Sequence, residues 1–235
     1  MVPESCPLND LDLAIRNTQP RLFVEIRPCL FLLRAHYRTN PGIDSHRWRV
    51  ARIMKLKKKT GVKHEFIVAC LRCNGVENDQ YLQLERMSEI GSGPSPGFYI
   101  SVASDRAWIF SEEDPANDPE NKELMSLVPS PLAQMTLPEL LIFADSIHHI
   151  SPVYEPFGAN CYWFADAMVN AMQHHGFAIN WEKEQSQKFW AKRWMKWLKS
   201  FTFHKSTATV QQMNDIYNRF TNTRTRFFDF QQPLF

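Results

Sequence analysis

The segment from Trp48 to Ser88 constrains this chain most, because its apolar residues recur at the spacing of strands. WRVARIMKL alternates loosely through Trp48, Val50, Met54 and Leu56, and the charged, Gly-containing KKKTG reads as a turn. VKHEFIVACLRC comes next, rich in branched and aromatic residues, and Asn74-Gly75 supplies the dipeptide best suited to a tight hairpin. YLQLERM then alternates cleanly, with Tyr81, Gln83, Glu85 and Met87 on one face and Leu82, Leu84 and Arg86 on the other. The pattern predicts an antiparallel meander, which FYISVA and RAWIF extend to about Phe110.

Helical signals come later. Thr136-Leu137-Pro138-Glu139 is a capping box with an early proline, and it opens a helix that Ser151-Pro152 ends. Asn160 caps a second helix, CYWFADAMVNAMQHH, which Gly176 stops. A third helix is predicted over Trp181–Phe201, and the polar, basic tail after Phe203 is left without an element. Strands first and helices second predict an α+β fold, an antiparallel sheet at about 48–110 followed by packed helices. The chain has 235 residues, enough for one large domain or a domain with an appendage. It divides into an N-terminal arm at 1–45, a core domain at 46–180 and a basic amphipathic helix with its tail at 181–235.

The net charge is only +2, so no global field drives the chain toward nucleic acid or membrane. The charge is unevenly placed. Glu112–Glu123 holds six acids and one lysine, whereas Gln185–Phe228 holds nine basic residues and one acid, Asp215. Five cysteines are too few, and odd in number, for a disulfide scaffold. The first twenty residues carry acids and no apolar run, unlike a signal peptide, and no stretch reaches the roughly 20 apolar residues of a membrane span. The expected location is intracellular, in the cytoplasm.

Cys161 is the most informative single residue. It heads the apolar stripe Cys161, Ala165, Met168 and Met172 at the first turn of its helix. Free backbone N–H groups and the positive end of the helix dipole there favour thiolate over thiol, and can donate to an oxyanion. The competing reading is a buried cysteine that packs as a small hydrophobe. A nucleophilic thiol needs a base. His64, at the start of HEFIVACL, can point its ring at a helix packed across that sheet edge. The pairs His148-His149 and His174-His175 sit on or at the ends of helices, where they suit a solvated surface or the helix dipole.

A strand that opens on histidine, further strands, and then Asn160-Cys161-Tyr162-Trp163-Phe164 opening a helix resembles the circularly permuted papain-like enzymes. That group includes the lecithin:retinol acyltransferase-like and NlpC-type proteins. The Cys-Tyr-Trp-Phe-Ala run also resembles uncharacterised fungal proteins. The resemblance covers about Val62–His175. It implies Cys161 as nucleophile, His64 as general base and an orienting group on YLQLERM, where hairpin register decides between Glu85 and Gln83. The start of the helix, Asn160 and Tyr162, would form the oxyanion site. The implied chemistry is acyl transfer or hydrolysis of an ester or amide through a Cys161 thioester, on a small-molecule, lipid or peptide acyl substrate. The 96 residues between His64 and Cys161 form an insertion able to act as a lid or replace the substrate groove.

Trp190, Trp194, Trp197 and Phe201 share one helical face, with Lys188, Lys192, Lys196 and Lys199 opposite. Such a helix either docks its aromatic stripe on the domain or binds an anionic membrane surface or protein partner, and the second use gives a non-catalytic interaction protein as the alternative function. Cys70-Leu-Arg-Cys73 on a strand places its thiols on opposite faces, which argues against a zinc site. No metal or cofactor is expected. No nucleic-acid motif, phosphate-binding glycine loop, G-x-S-x-G or H-E-x-x-H occurs.

Overall fold

A computed structural model describes residues 24–40, 46–61, 63–73, 78–88, 101–110, 114–155, 160–180, 208–231 and 234. In chain order its elements begin with β1 (Val24–Glu25), α1 (Ile26–Thr39), β2 (Trp48–Lys58), β3 (Glu65–Cys73), β4 (Gln80–Ser88) and β5 (Ser101–Phe110). A 3-10 turn at Pro115–Asn117 precedes β6 (Asn121–Pro129), α2 (Leu137–Ile150), β7 (Val153–Tyr154), α3 (Cys161–His174), β8 (Phe177–Ile179) and α4 (Val210–Phe228). The sheet runs β1-β5-β4-β3-β2-β6-β8 with every neighbouring pair antiparallel, and β7 adds to β5 off this path. The chain is therefore α+β, an antiparallel sheet with helices packed on it.

The described helices bury their apolar sides against one face of the sheet, where Ile67, Ala69 and Leu71 of β3 meet Leu82 and Leu84 of β4 and Ala107 of β5. The opposite face carries a smaller cluster of Met54, Leu56, Phe66 and Val68, with Tyr81 and Ala116 against it. Loose alternation along β2 has a structural cause. Its register with β3 shifts between Val50 and Arg52, a bulge that reverses the side-chain faces beyond it. Trp48 and Val50 point into the helical core, but after the bulge Ile53 does so, and Met54 and Leu56 turn to the other face. The same reversal directs Lys55 and Lys57 toward α3.

α2 is buried on nearly every side, from Leu137 to Ile147, because it lies between the sheet and the other helices. Its capping box forms as expected, with Glu139 accepting from the Thr136 N–H at 2.8 Å. Gly176 ends α3 with φ +96°, and a Cβ there would come within 2.9 Å of Ala133 Cβ.

The structure adds elements that strand and helix patterns did not reveal. The part of the N-terminal arm within 24–40 joins the core: α1 buries Ile26, Cys29, Leu30, Leu33 and Tyr37, a helical spacing that Pro28 tolerates in the first turn. The tail holds α4, opened by a Thr209/Gln212 capping box, with Ile216, Phe220, Thr223 and Phe227 buried. Phe220 stacks on Phe143 of α2, and Arg224 reaches Glu139 at 2.6 Å. Residues 121–129, which begin within the acidic run and extend past it, form β6, since the bulged edge of β2 accepts them as a partner. Within the insertion between His64 and Cys161, β5, β6 and α2 are parts of the sheet and core, not a lid. The predicted helix over 181–201 lies outside the described residues.

Candidate active site

The first turn of α3 is held from two directions. Asn160 is its N-cap, and Oδ1 accepts from the N–H groups of Tyr162 at 3.0 Å and Trp163 at 3.2 Å. Below it, the buried Arg86 guanidinium lies 5.0 Å from the Trp163 ring centre and 5.4 Å from that of Phe164. Asp105 clamps Arg86 through two hydrogen bonds of 2.7 and 2.6 Å. These contacts set the start of α3 over β4, and they place Cys161, 4% exposed, at the end of the sheet where β3 begins.

His64 is the last residue before β3. The Lys58 N–H donates to its carbonyl at 3.0 Å, and its ring stacks with that of Phe66 at 6.1 Å. Register on the next strand is set by Ile67 opposite Leu84 and Val68 opposite Gln83, which brings Glu85 to the end of the ladder beside His64. His64 Nε2 donates to Glu85 Oε2 at 3.1 Å, and Gln83 Nε2 donates to the same oxygen at 2.9 Å. An ionised carboxylate can only accept, so Nε2 carries the proton. Cys161 lies near enough to His64 for the two to shift each other by hydrogen bond and by charge. The register decides between the two orienting candidates. Glu85 touches the imidazole, and Gln83 holds Glu85.

The electrostatics reinforce the geometry. Burial lowers the His64 pKa, but hydrogen bonds and charge from Cys161 and Glu85 outweigh it and raise the imidazolium to about 9. Burial likewise raises the Cys161 thiol. Hydrogen bonds from His64 and the Glu65 backbone N–H, with the His64 charge, outweigh that and hold the thiol below its ordinary value. Burial alone drives the Cys29 thiol up to about 12. Both shifts run in the direction that favours a thiolate beside an imidazolium.

Tyr154 of β7 is the residue that the sequence did not single out. Its hydroxyl faces the Cys161 sulfur and the Cys161 backbone N–H, and burial followed by the thiol's charge raises its pKa. The only local signal is an aromatic residue shortly before the Asn160 cap.

The oxyanion expectation needs correction at the Tyr162 backbone. The Tyr162 N–H, like that of Trp163, already donates to Asn160 Oδ1, so it is not left to donate to an oxyanion. The Tyr162 hydroxyl instead donates to the Lys63 carbonyl. Behind the site, Lys55 binds Asp166 of α3 at 2.5 Å and Glu65 at 2.7 Å, while Lys57 binds Glu65 at 3.0 Å.

The other motifs separate from this centre. Cys73 packs in the helical core and accepts from Arg47 Nε at 2.9 Å, while Cys70 donates to Asp79 at 3.3 Å. Trp190, Trp194, Trp197, Lys192 and Lys196 lie outside the described residues. A cleft of about 330 Å³, lined by Ile26, Phe31, Val102 and Asp145 among others, contains none of Cys161, His64 and Glu85. Among the described residues, no helix is long and apolar enough to cross a membrane. No protein-family model, curated protein or solved structure matches the chain.

Proposed function

We propose that this protein is a papain-like thiol enzyme that transfers or hydrolyses the acyl group of an ester or amide through a Cys161 thioester. The observation that carries the reading is the side-chain chain Cys161–His64–Glu85, assembled from three separate elements and polarised toward thiolate and imidazolium. The order of a histidine-led strand, further strands and an Asn-Cys helix start supports kinship with the circularly permuted papain-like group.

The Cys161 thiolate attacks the acyl carbonyl, forming a carbon–sulfur bond while the carbonyl electrons move onto oxygen. The Tyr154 hydroxyl beside the sulfur is the donor that serves this oxyanion. As the bond to the leaving group breaks, His64 delivers its proton to the departing oxygen or nitrogen. Water or an amine then gives a proton to His64 and attacks the thioester, which expels the thiolate and restores the starting state. Glu85 keeps the imidazole oriented throughout. The acyl substrate is a small molecule, lipid or peptide, and a resting thiolate suits the reducing cytoplasm.

An electrophilic probe tests this directly. Iodoacetamide at pH 7, followed by peptide mass spectrometry, is expected to label Cys161 well ahead of the other four cysteines. An activated p-nitrophenyl ester is expected to leave an acyl mass on Cys161. Equal, slow labelling of all five cysteines with no acyl adduct overturns the proposal.

A further inference from the structure

We infer that Tyr162 is a positioning residue that locks the base-bearing segment onto the nucleophile's helix turn, a conclusion that rests on the proposed Cys161–His64 pair. Two short pieces of chain meet here, 161–162 at the start of α3 and 63–65 at the entry to β3. The Tyr162 hydroxyl donates to the Lys63 carbonyl, the residue just before His64. Glu65, just after His64, lies near enough to Cys161 for its backbone N–H to favour the thiolate. His64 itself faces the thiol. The base is therefore bracketed on both sides by contacts to the nucleophile's dipeptide.

A further set of contacts closes the ring. Lys57 Nζ lies 4.8 Å from the Tyr162 ring centre and binds Glu65 Oε1 at 3.0 Å. Tyr162 thus touches β2 through its ring and the 63–65 segment through its hydroxyl. Its own N–H is fixed by the Asn160 cap at 3.0 Å. Displacing either piece by an ångström would lengthen the thiol–imidazole contact, and such displacements cost reactivity steeply. Removing the hydroxyl frees the Lys63 carbonyl and lets His64 swing, with no loss of core volume.

Tyr162→Phe tests the role, because it deletes the hydroxyl and keeps the ring over Lys57. Iodoacetamide alkylation of Cys161 is followed from pH 4 to pH 10 by peptide mass spectrometry, in wild type and variant, alongside the melting temperature. The variant is expected to lose about tenfold in rate at pH 6, equal to an upward move of the acid limb by about one pH unit. At pH 10, where the thiol is ionised in both, the rates are expected to agree within about threefold. Superimposable profiles overturn the inference, whether or not the melting temperature falls, since a purely structural tyrosine would change stability alone. A wild-type profile like that of an ordinary thiol overturns instead the Cys161–His64 reading beneath it.

Discussion

Cys161 and Cys70 are both buried thiols with polar side chains near the sulfur, yet they are driven in opposite directions. Cys70 donates to the Asp79 carboxylate at 3.3 Å, and burial together with that negative neighbour pushes its pKa up to about 12, against a smaller pull from Arg52 and Arg72. Cys161 suffers the same penalty from burial, but its partner is an imidazole whose own pKa is raised by Cys161 and Glu85, and the thiol ends below its ordinary value. Burial therefore does not decide whether a cysteine is reactive. The sign of the charge beside it does.

The sharpest way to break the contrast is to remove the imidazole. His64→Ala is expected to slow Cys161 alkylation at pH 6 by about a hundredfold, and acyl-adduct formation by at least as much, the usual scale of a lost proton-transfer partner. A variant that labels at the wild-type rate would show that burial and the helix terminus alone activate the thiol. Next in size is Glu85→Gln, which keeps a hydrogen-bonding group but deletes the charge that holds His64 protonated. The alkaline limb of activity, set by His64 at about 9, is expected to move down. A drop by about one unit corresponds to roughly tenfold in imidazolium population. An unmoved limb would assign it to another group.

The converse substitution probes the other thiol. In Asp79→Asn the carboxylate that suppresses Cys70 ionisation is gone, leaving Arg52 and Arg72 to act. Labelling of Cys70 at pH 9 is expected to rise by about threefold to tenfold, an effect limited because burial persists. If Cys70 stays inert, desolvation alone explains it.

The smallest effect is on stability. The folded protein holds the His64 proton more tightly than the unfolded chain, whose imidazole titrates near 6.5. The stabilisation from this group is thus fully present below 6.5 and is lost as the pH rises through about 9. The melting-temperature advantage of wild type over His64→Gln is expected to shrink between pH 6 and pH 10. An advantage independent of pH would mean that the ring contributes by packing on Phe66.

Much of the site was legible in local sequence. Asn160 announces itself as a cap, and the side-chain oxygen of an asparagine meets N–H groups two and three residues on wherever it begins a helix. The clean alternation of YLQLERM put Gln83 and Glu85 on a common face, which the structure retains. What the sequence did not show is that the same cap satisfies the Tyr162 and Trp163 N–H groups and so removes them from use as donors. Tyr154 reaches the sulfur only because β7 pairs with β5, a contact between residues about fifty positions apart.

Local rules of spacing and capping determined the kinds of element, the strand faces between bulges and the helix ends, because each depends on neighbours within about five residues. Tertiary structure alone decided the β2 bulge, the β3–β4 register and the absorption of α1 and α4 into one core. Those features minimise exposed apolar area over the whole chain, and no local window contains that sum. The placement of His64 near Cys161 is of the second kind, since it depends on the seating of α3 on Arg86 and on the offset between two strands.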